Sequence, residues 1–246
     1  MKYQLHLNRQ QKLICLLYLF CVLFAGLIIG FSIRFDRDAG IGNNTGTDWK
    51  GYVSGGLEIA VLTEPKRGSR GTASLHSNVD HLYKANNLVI PDVIRKNNKL
   101  YDLVQIDSEA FYIEGSTNPY LTGSLTIGKN IKIIKERAFS QCYSLTGKLI
   151  INKNIEIERA AFALCCFQTL TISKNVIIQA NAFANNLQLE TIICDGWSSL
   201  PTTWEAGIFI VAKTYGHVKS INSTFSSTEI LGFLQSHGLG STWQAA

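Results

Sequence analysis

A β-rich repeat solenoid is the architecture that these 246 residues predict, and three features of the chain point to it. The dipeptide Ala-Phe recurs at Ala110-Phe111, Ala138-Phe139, Ala161-Phe162 and Ala182-Phe183, at spacings of 28, 23 and 21 residues. Upstream of the last three stands Leu-x-Ile, as Leu125/Ile127, Leu149/Ile151 and Leu170/Ile172. Between the two motifs lies Lys-Asn, as Lys129-Asn130, Lys153-Asn154 and Lys174-Asn175. A period of this length carried over several matched positions is the mark of stacked repeats, because one such unit is too small to bury its own apolar face.

The N-terminus has a different character. Leu13 to Ile33 carries no charge, and as a helix its 21 residues span about 31 Å, the thickness of a bilayer's hydrocarbon core. Lys2, Arg9 and Lys12 precede it, which orients residues 1–12 to the cytoplasm and sends the remainder across. Three readings of residues 13–33 stand: a retained transmembrane anchor, a signal peptide cleaved near Ile33, or a lipoprotein signal at Cys21. Each places the bulk of the chain outside the cytoplasm, at the cell surface or in the periplasm. Residues 34–56, rich in Gly, Asn, Thr and Asp, form a flexible linker. The net charge of +5 belongs mostly to this end, since four of the 23 basic residues and none of the 18 acidic ones precede Phe35. That weakens a nucleic-acid reading, which needs a basic patch on the folded domain.

Each coil follows from simple chemistry. Leu-x-Ile is a period-2 strand with one face turned inward. Asn tolerates left-handed backbone and suits the turn. The aliphatics Ile134, Ile157 and Ile178 return the chain to the core, small Ala admits the neighbouring coil, and Phe fills the interior above the Phe below. Four residues after Ala comes Cys142, Cys165 or Asn186, again inward.

These residues resemble the BspA-type leucine-rich repeat of bacterial surface proteins, with its Ile-x-x-x-Ala-Phe-x-x-Cys/Asn core. The resemblance covers roughly residues 55–243. It implies a leucine-rich-repeat right-handed superhelix over 57–212, with short strands in each coil, and a C-terminal cap over 213–246. NNLVIPDVIRKNNKLYDLVQIDSEAF (Asn86 to Phe111) resembles the usual opening unit and IFIVAK (Ile208 to Lys213) a degenerate last coil. Residues 228–243 resemble a closing helix, started by Ser226 to Glu229, stopped by Gly238, and applying Ile230, Leu231, Phe233 and Leu234 as a lid. The turn after Leu-x-Ile usually carries Pro; here Pro91 keeps it, and Gly128, Asn152 and Ser173 replace it.

No catalytic constellation is legible. The chain has no C-x-x-C, no H-E-x-x-H, no G-x-S-x-G and no phosphate loop, so no metal or cofactor is expected. A disulfide between Cys142 and Cys165 of adjacent coils is left open by their equivalent positions. Two glycosylation sequons, Asn43–Thr45 and Asn222–Thr224, read as chance matches. The candidate ligand surface is the set of residues flanking the inward Leu and Ile: Ser124 and Thr126, then Lys148 and Ile150, then Thr169 and Thr171. Beside them Lys129, Lys153 and Lys174 form a column, one per coil, suited to an anionic glycan or an acidic protein patch. The function expected is non-catalytic binding of a protein or polysaccharide outside the cytoplasm, with membrane attachment through the N-terminal helix. The resemblance implies adhesion to host matrix proteins or other cells; a structural scaffold of the cell envelope is the alternative.

Overall fold

The computed structural model describes residues 47–48, 57–77, 85–210, 212 and 215–246, all within one compact unit, Gly42–Ala246. The segment 13–33 lies outside the described residues. Among the described residues no helix is long and apolar enough to cross a membrane.

The chain opens on β1 (Thr47–Asp48), β2 (Leu57–Thr63), β3 (Gly71–Ser77), β4 (Ala85–Val89), β5 (Val93–Lys96) and β6 (Lys99–Ile106). β2 and β3 pair antiparallel, β3 runs parallel to β6, and β5 pairs antiparallel with β6. The β5–β6 hairpin turns on Asn97 and Asn98, with φ of 51° and 61°. Two successive left-handed residues make the turn whose twist suits a two-residue hairpin, and Asn adopts that conformation more readily than most residues.

From residue 104 the chain settles into repeating coils, each contributing a long strand and a short one. The long strands are β7 (Leu121–Thr126), β9 (Thr146–Ile151), β11 (Cys166–Ser173) and β13 (Thr191–Asp195), followed by β14 (His217–Ile221). β9, β11, β13 and β14 form a parallel ladder in which Leu149, Leu170, Ile192 and Val218 share one inward row. All four are buried. β7 pairs with β4 and touches the ladder through a bridge from Gly123 to Leu145. The short strands are β8 (Ile133–Ile134), β10 (Glu156–Ile157) and β12 (Ile177–Ile178). They continue β6 as a second parallel ladder, with Ile106, Ile134, Ile157 and Ile178 in one fully buried row.

Between the ladders runs the phenylalanine column. Ring centroids are 4.6 Å apart for Phe111–Phe139, 5.2 Å for Phe139–Phe162, 5.4 Å for Phe162–Phe183 and 5.9 Å for Phe183–Phe209, with interplanar angles of 14° or less. Phe209 extends the column one coil beyond the last Ala-Phe, with Ile208 standing where the other coils have Ala. The residue before that small position is left-handed in every coil: Glu109 (φ 56°), Arg137 (55°), Ala160 (55°), Asn181 (60°) and Gly207 (75°). Only the last two are residue types that favour this conformation.

Helix α1 (Ser227–Ser236) closes the stack. Ser226 Oγ accepts from the Glu229 backbone N–H, and the Glu229 carboxylate accepts from the Ser226 N–H, a capping box. Ile230 and Leu234 are fully buried, with Leu231 and Phe233 packed beside them. The helix is shorter than the expected 228–243. Gly238, at φ 100°, ends it, and the chain continues to β15 (Gln244–Ala245), which adds to β14.

Candidate functional site

The parallel register fixes the outward rows of the long-strand ladder. One row is Lys148, Thr169, Thr191 and His217; the next is Ile150, Thr171, Ile193 and Lys219; a third includes Asn152, Ser173, Asp195 and Ile221. Lys148, His217 and Lys219 are exposed, Thr169 and Thr191 half-buried. Ile150 is 45% exposed although it is a large aliphatic side chain. On β7, Thr126 is exposed, while Ser124 is half-buried and donates its hydroxyl to Asn87 Oδ1 at 3.1 Å.

Thr171 departs from the expected surface role. It alternates outward by register, yet only 6% of it is accessible and its Oγ1 has no hydrogen-bond partner. The cause is lateral: its row places it between Ile150 and Ile193, two longer side chains in parallel strands less than 5 Å away.

At the edge where the long strands turn toward the short ones lies an open groove of about 350 Å³. It is lined by Lys129, Lys132, Asn152, Lys153, Asn154, Ser173, Lys174, Asp195 and Gly196. The lysine column is thus gathered into one concavity, but its members are not equivalent. Lys129 is tied to Asp92, through its ammonium at 3.4 Å and its backbone N–H at 2.6 Å. Lys153 and Lys174 have no carboxylate partner among the described residues. Lys132, which carries no repeat signature, joins them. The turns are shaped by asparagine: Asn154 and Asn175 are left-handed, and Asn175 Nδ2 donates to Asn154 Oδ1 at 3.2 Å. Asn130 instead donates to Asp92 O and Asp102 Oδ1.

Nothing in this arrangement supplies an activated nucleophile. Cys142, Cys165, Cys166 and Cys194 are free thiols. Burial pushes the Cys142, Cys165 and Cys194 thiols well up, and a thiol so held is inert. Ser74, His76 and Asp107 do meet: Ser74 Oγ donates to Asp107 Oδ2 at 2.8 Å, with His76 Nδ1 3.5 Å from the same oxygen. The carboxylate stands between the other two, so the imidazole is not placed to take the serine proton, and Ser74 is only 1% exposed. Among the described residues no group of three or more His, Cys, Asp or Glu is disposed to hold a metal.

Parallel coils, an inner phenylalanine column and a buried Cys or Asn at the same place in three successive coils (Cys142, Cys165, Asn186) are the features of a leucine-rich repeat. Residues 104–202 match the family described as BspA type leucine rich repeat region, in 6 copies. The chain is also similar to the crystal structure of a leucine-rich repeat protein from Bacteroides ovatus, at 17% identity and a TM-score of 0.39. That match covers 71% of this chain and spans 57% of the other protein's length. No curated protein matches the chain.

Proposed function

We propose that this is a non-catalytic binding protein that works outside the cytoplasm and uses the outward face of β9, β11, β13 and β14 to hold a protein or polysaccharide ligand. The observation that carries the reading is the row Ile150, Thr171, Ile193: an exposed and a half-buried isoleucine on either side of the buried Thr171, bordered by Lys148, His217 and Lys219. Apolar side chains rimmed by polar ones on an otherwise solvated face are the usual composition of an interaction patch. The BspA type repeat supports the same reading, since repeats of this kind serve chiefly as binding surfaces. On this proposal residues 13–33 anchor or export the chain, the coils continue as a right-handed superhelix, and the use is adhesion to matrix protein, other cells or polysaccharide.

The test is saturable binding of the full chain, in detergent micelles, to immobilised collagen, laminin and uncharged dextran. Ile150→Asp and Ile193→Asp should each weaken binding about tenfold or more while leaving the thermal midpoint nearly unchanged. Absence of saturable binding to all three, or binding that both variants leave intact, counts against the strand face as the binding surface.

A further inference from the structure

We infer that the groove of Lys132, Lys153 and Lys174 is a second binding site, for an acidic polysaccharide held through its anionic groups. The inference rests on the reading of the chain as a binding protein but concerns a different surface, the turn edge of the coils and not their strand face. The first observation is the concavity, about 350 Å³, into which the turns of three successive coils bring their lysines. The second is the contrast in pairing. Elsewhere in the same coils two arginines are matched: Arg137 reaches Glu109 at 3.3 Å and Arg159 reaches Glu136 at 3.7 Å, each a carboxylate of the preceding coil. In the groove only Lys129 is matched, by Asp92. Lys132, Lys153 and Lys174 share one concavity with no carboxylate within ion-pair distance among the described residues, an arrangement that attracts an incoming anion.

The chemistry favours a charged glycan over the other polyanions. β11 and β13 are hydrogen-bonded to strands on both sides and offer no free edge for an acidic peptide to extend as a strand; β9 ends its sheet, with the Gly123–Leu145 bridge to β7 just before it. The lining has neither an aromatic ring nor an arginine to stack a base, which argues against a nucleic acid strand. What it does offer is an ammonium point charge repeated from coil to coil. Asn152, Asn154 and Ser173 lie among these charges as neutral polar groups able to meet sugar hydroxyls. Asp195 closes one end, engaged by Asn222 Nδ2 at 2.9 Å, and sets the direction in which a chain of anionic groups would lie, away from β13 and toward Lys132.

The probes are alginate, heparin and uncharged dextran, with poly-glutamate and oligodeoxythymidine as competitors, measured on the full chain in a non-ionic detergent. The test variant is Lys153→Ser/Lys174→Ser. The control is Lys66→Ser/Arg67→Ser, which removes the same charge from the exposed loop between β2 and β3. Expected are binding of alginate or heparin that uncharged dextran does not displace, a loss of about tenfold or more in the groove variant, and a weaker dependence on salt in that variant. The loop variant and the Ile150→Asp variant should bind the acidic polysaccharide as the parent does. Equal losses in groove and loop variants would show net charge alone and overturn the site. Tighter binding of poly-glutamate or oligodeoxythymidine than of either acidic polysaccharide would overturn the ligand class. Loss of collagen or laminin binding in Ile150→Asp, with alginate or heparin binding kept, separates this site from the strand face.

Discussion

Asn186 and Cys165 hold the same place in adjacent coils and perform the same task. Asn186 Nδ2 donates to Phe162 O at 2.8 Å, and Cys165 Sγ donates to Phe139 O at 3.2 Å, each reaching the phenylalanine carbonyl of the coil before. Cys142 Sγ repeats the contact to Phe111 O at 3.7 Å. The position therefore requires a small buried donor, and the two residue types interchange because both supply one. Cys165→Asn should preserve most of the stability. Cys165→Ala should cost about 0.5–1.5 kcal/mol, since the Phe139 carbonyl loses this donor and keeps only the Cys142 backbone N–H at 3.3 Å. Urea denaturation of the two variants beside the parent decides this; equal stability of both variants would leave the carbonyl contact without weight.

The same burial governs reactivity. Cys142, Cys165 and Cys194 are almost inaccessible, whereas Cys166 is half-buried. Burial raises the Cys166 thiol above its ordinary range as well, so its thiolate is scarce at neutral pH. Of these four, Cys166 should be alkylated first in the native protein, faster as pH rises toward 9, and the other three only on unfolding. Mass spectrometry after timed labelling reads the order directly. Early labelling of Cys142 or Cys165 would contradict the packed column.

The column itself should be the main source of stability. Phe162 stacks on Phe139 and Phe183 and meets Phe167 edge-on at 6.2 Å. Phe162→Ala should cost about 3–5 kcal/mol, as should Phe139→Ala and Phe183→Ala. Thermal unfolding followed by circular dichroism is sufficient, and near-neutral results at all three positions would refute the stacked core.

Much of this was readable from spacing. Inward Leu and Ile, the Phe column and the shared Cys/Asn position follow from residues that recur in each coil, because burial selects the same side chain at the same place. The parts that escaped are those where the neighbour decides. Thr171 looks like a surface residue in its own strand and loses that character only between Ile150 and Ile193. Lys129 looks equivalent to Lys153 until Asp92, 37 residues away, accepts from its backbone N–H. Lys132 has no counterpart in the other coils, so periodicity does not select it. Ile208 conceals a fifth member of the column because the small residue before Phe209 has been replaced.

Left-handed backbone at a fixed place in each coil is a further property that residue type conceals. Ala160 adopts φ 55° where Gly207 adopts 75° two coils later. An L-residue pays roughly 1–2 kcal/mol there, while glycine pays only its larger unfolded-state entropy, about 0.4–1 kcal/mol. Ala160→Gly should therefore leave stability unchanged or raise it by up to about 1 kcal/mol. Ala161→Gly, next door and fully buried without positive φ, should lower it. Opposite signs at two adjacent alanines are the expected outcome of chemical denaturation; a loss at both would remove the argument from backbone strain.

The C-terminal lid should confer a defined acid sensitivity. The Ser226 backbone N–H, followed by the Ser226 hydroxyl, holds the Glu229 carboxyl below its ordinary value of 4.5 in the folded chain. A group whose folded pKa is depressed contributes stability that is fully present above its unfolded pKa and is lost as pH falls through the folded one. The cap of α1 should thus be intact at neutral pH and weaken progressively below about pH 4.5. Glu229→Gln keeps an acceptor for the same N–H but cannot titrate, so its helix end should show no added acid sensitivity in this window. Hydrogen exchange of the first-turn amides, Thr228 to Leu231, from pH 6 down to pH 3, is the appropriate measurement after correction for intrinsic rates. Protection that fades with acid in the parent and stays level in Glu229→Gln would assign the sensitivity to this carboxylate; identical profiles would place it elsewhere. Because Ile230 and Leu234 cover the last coil, opening of this lid exposes the end of the stack, and the strand β15 paired to β14 should lose protection in the same window.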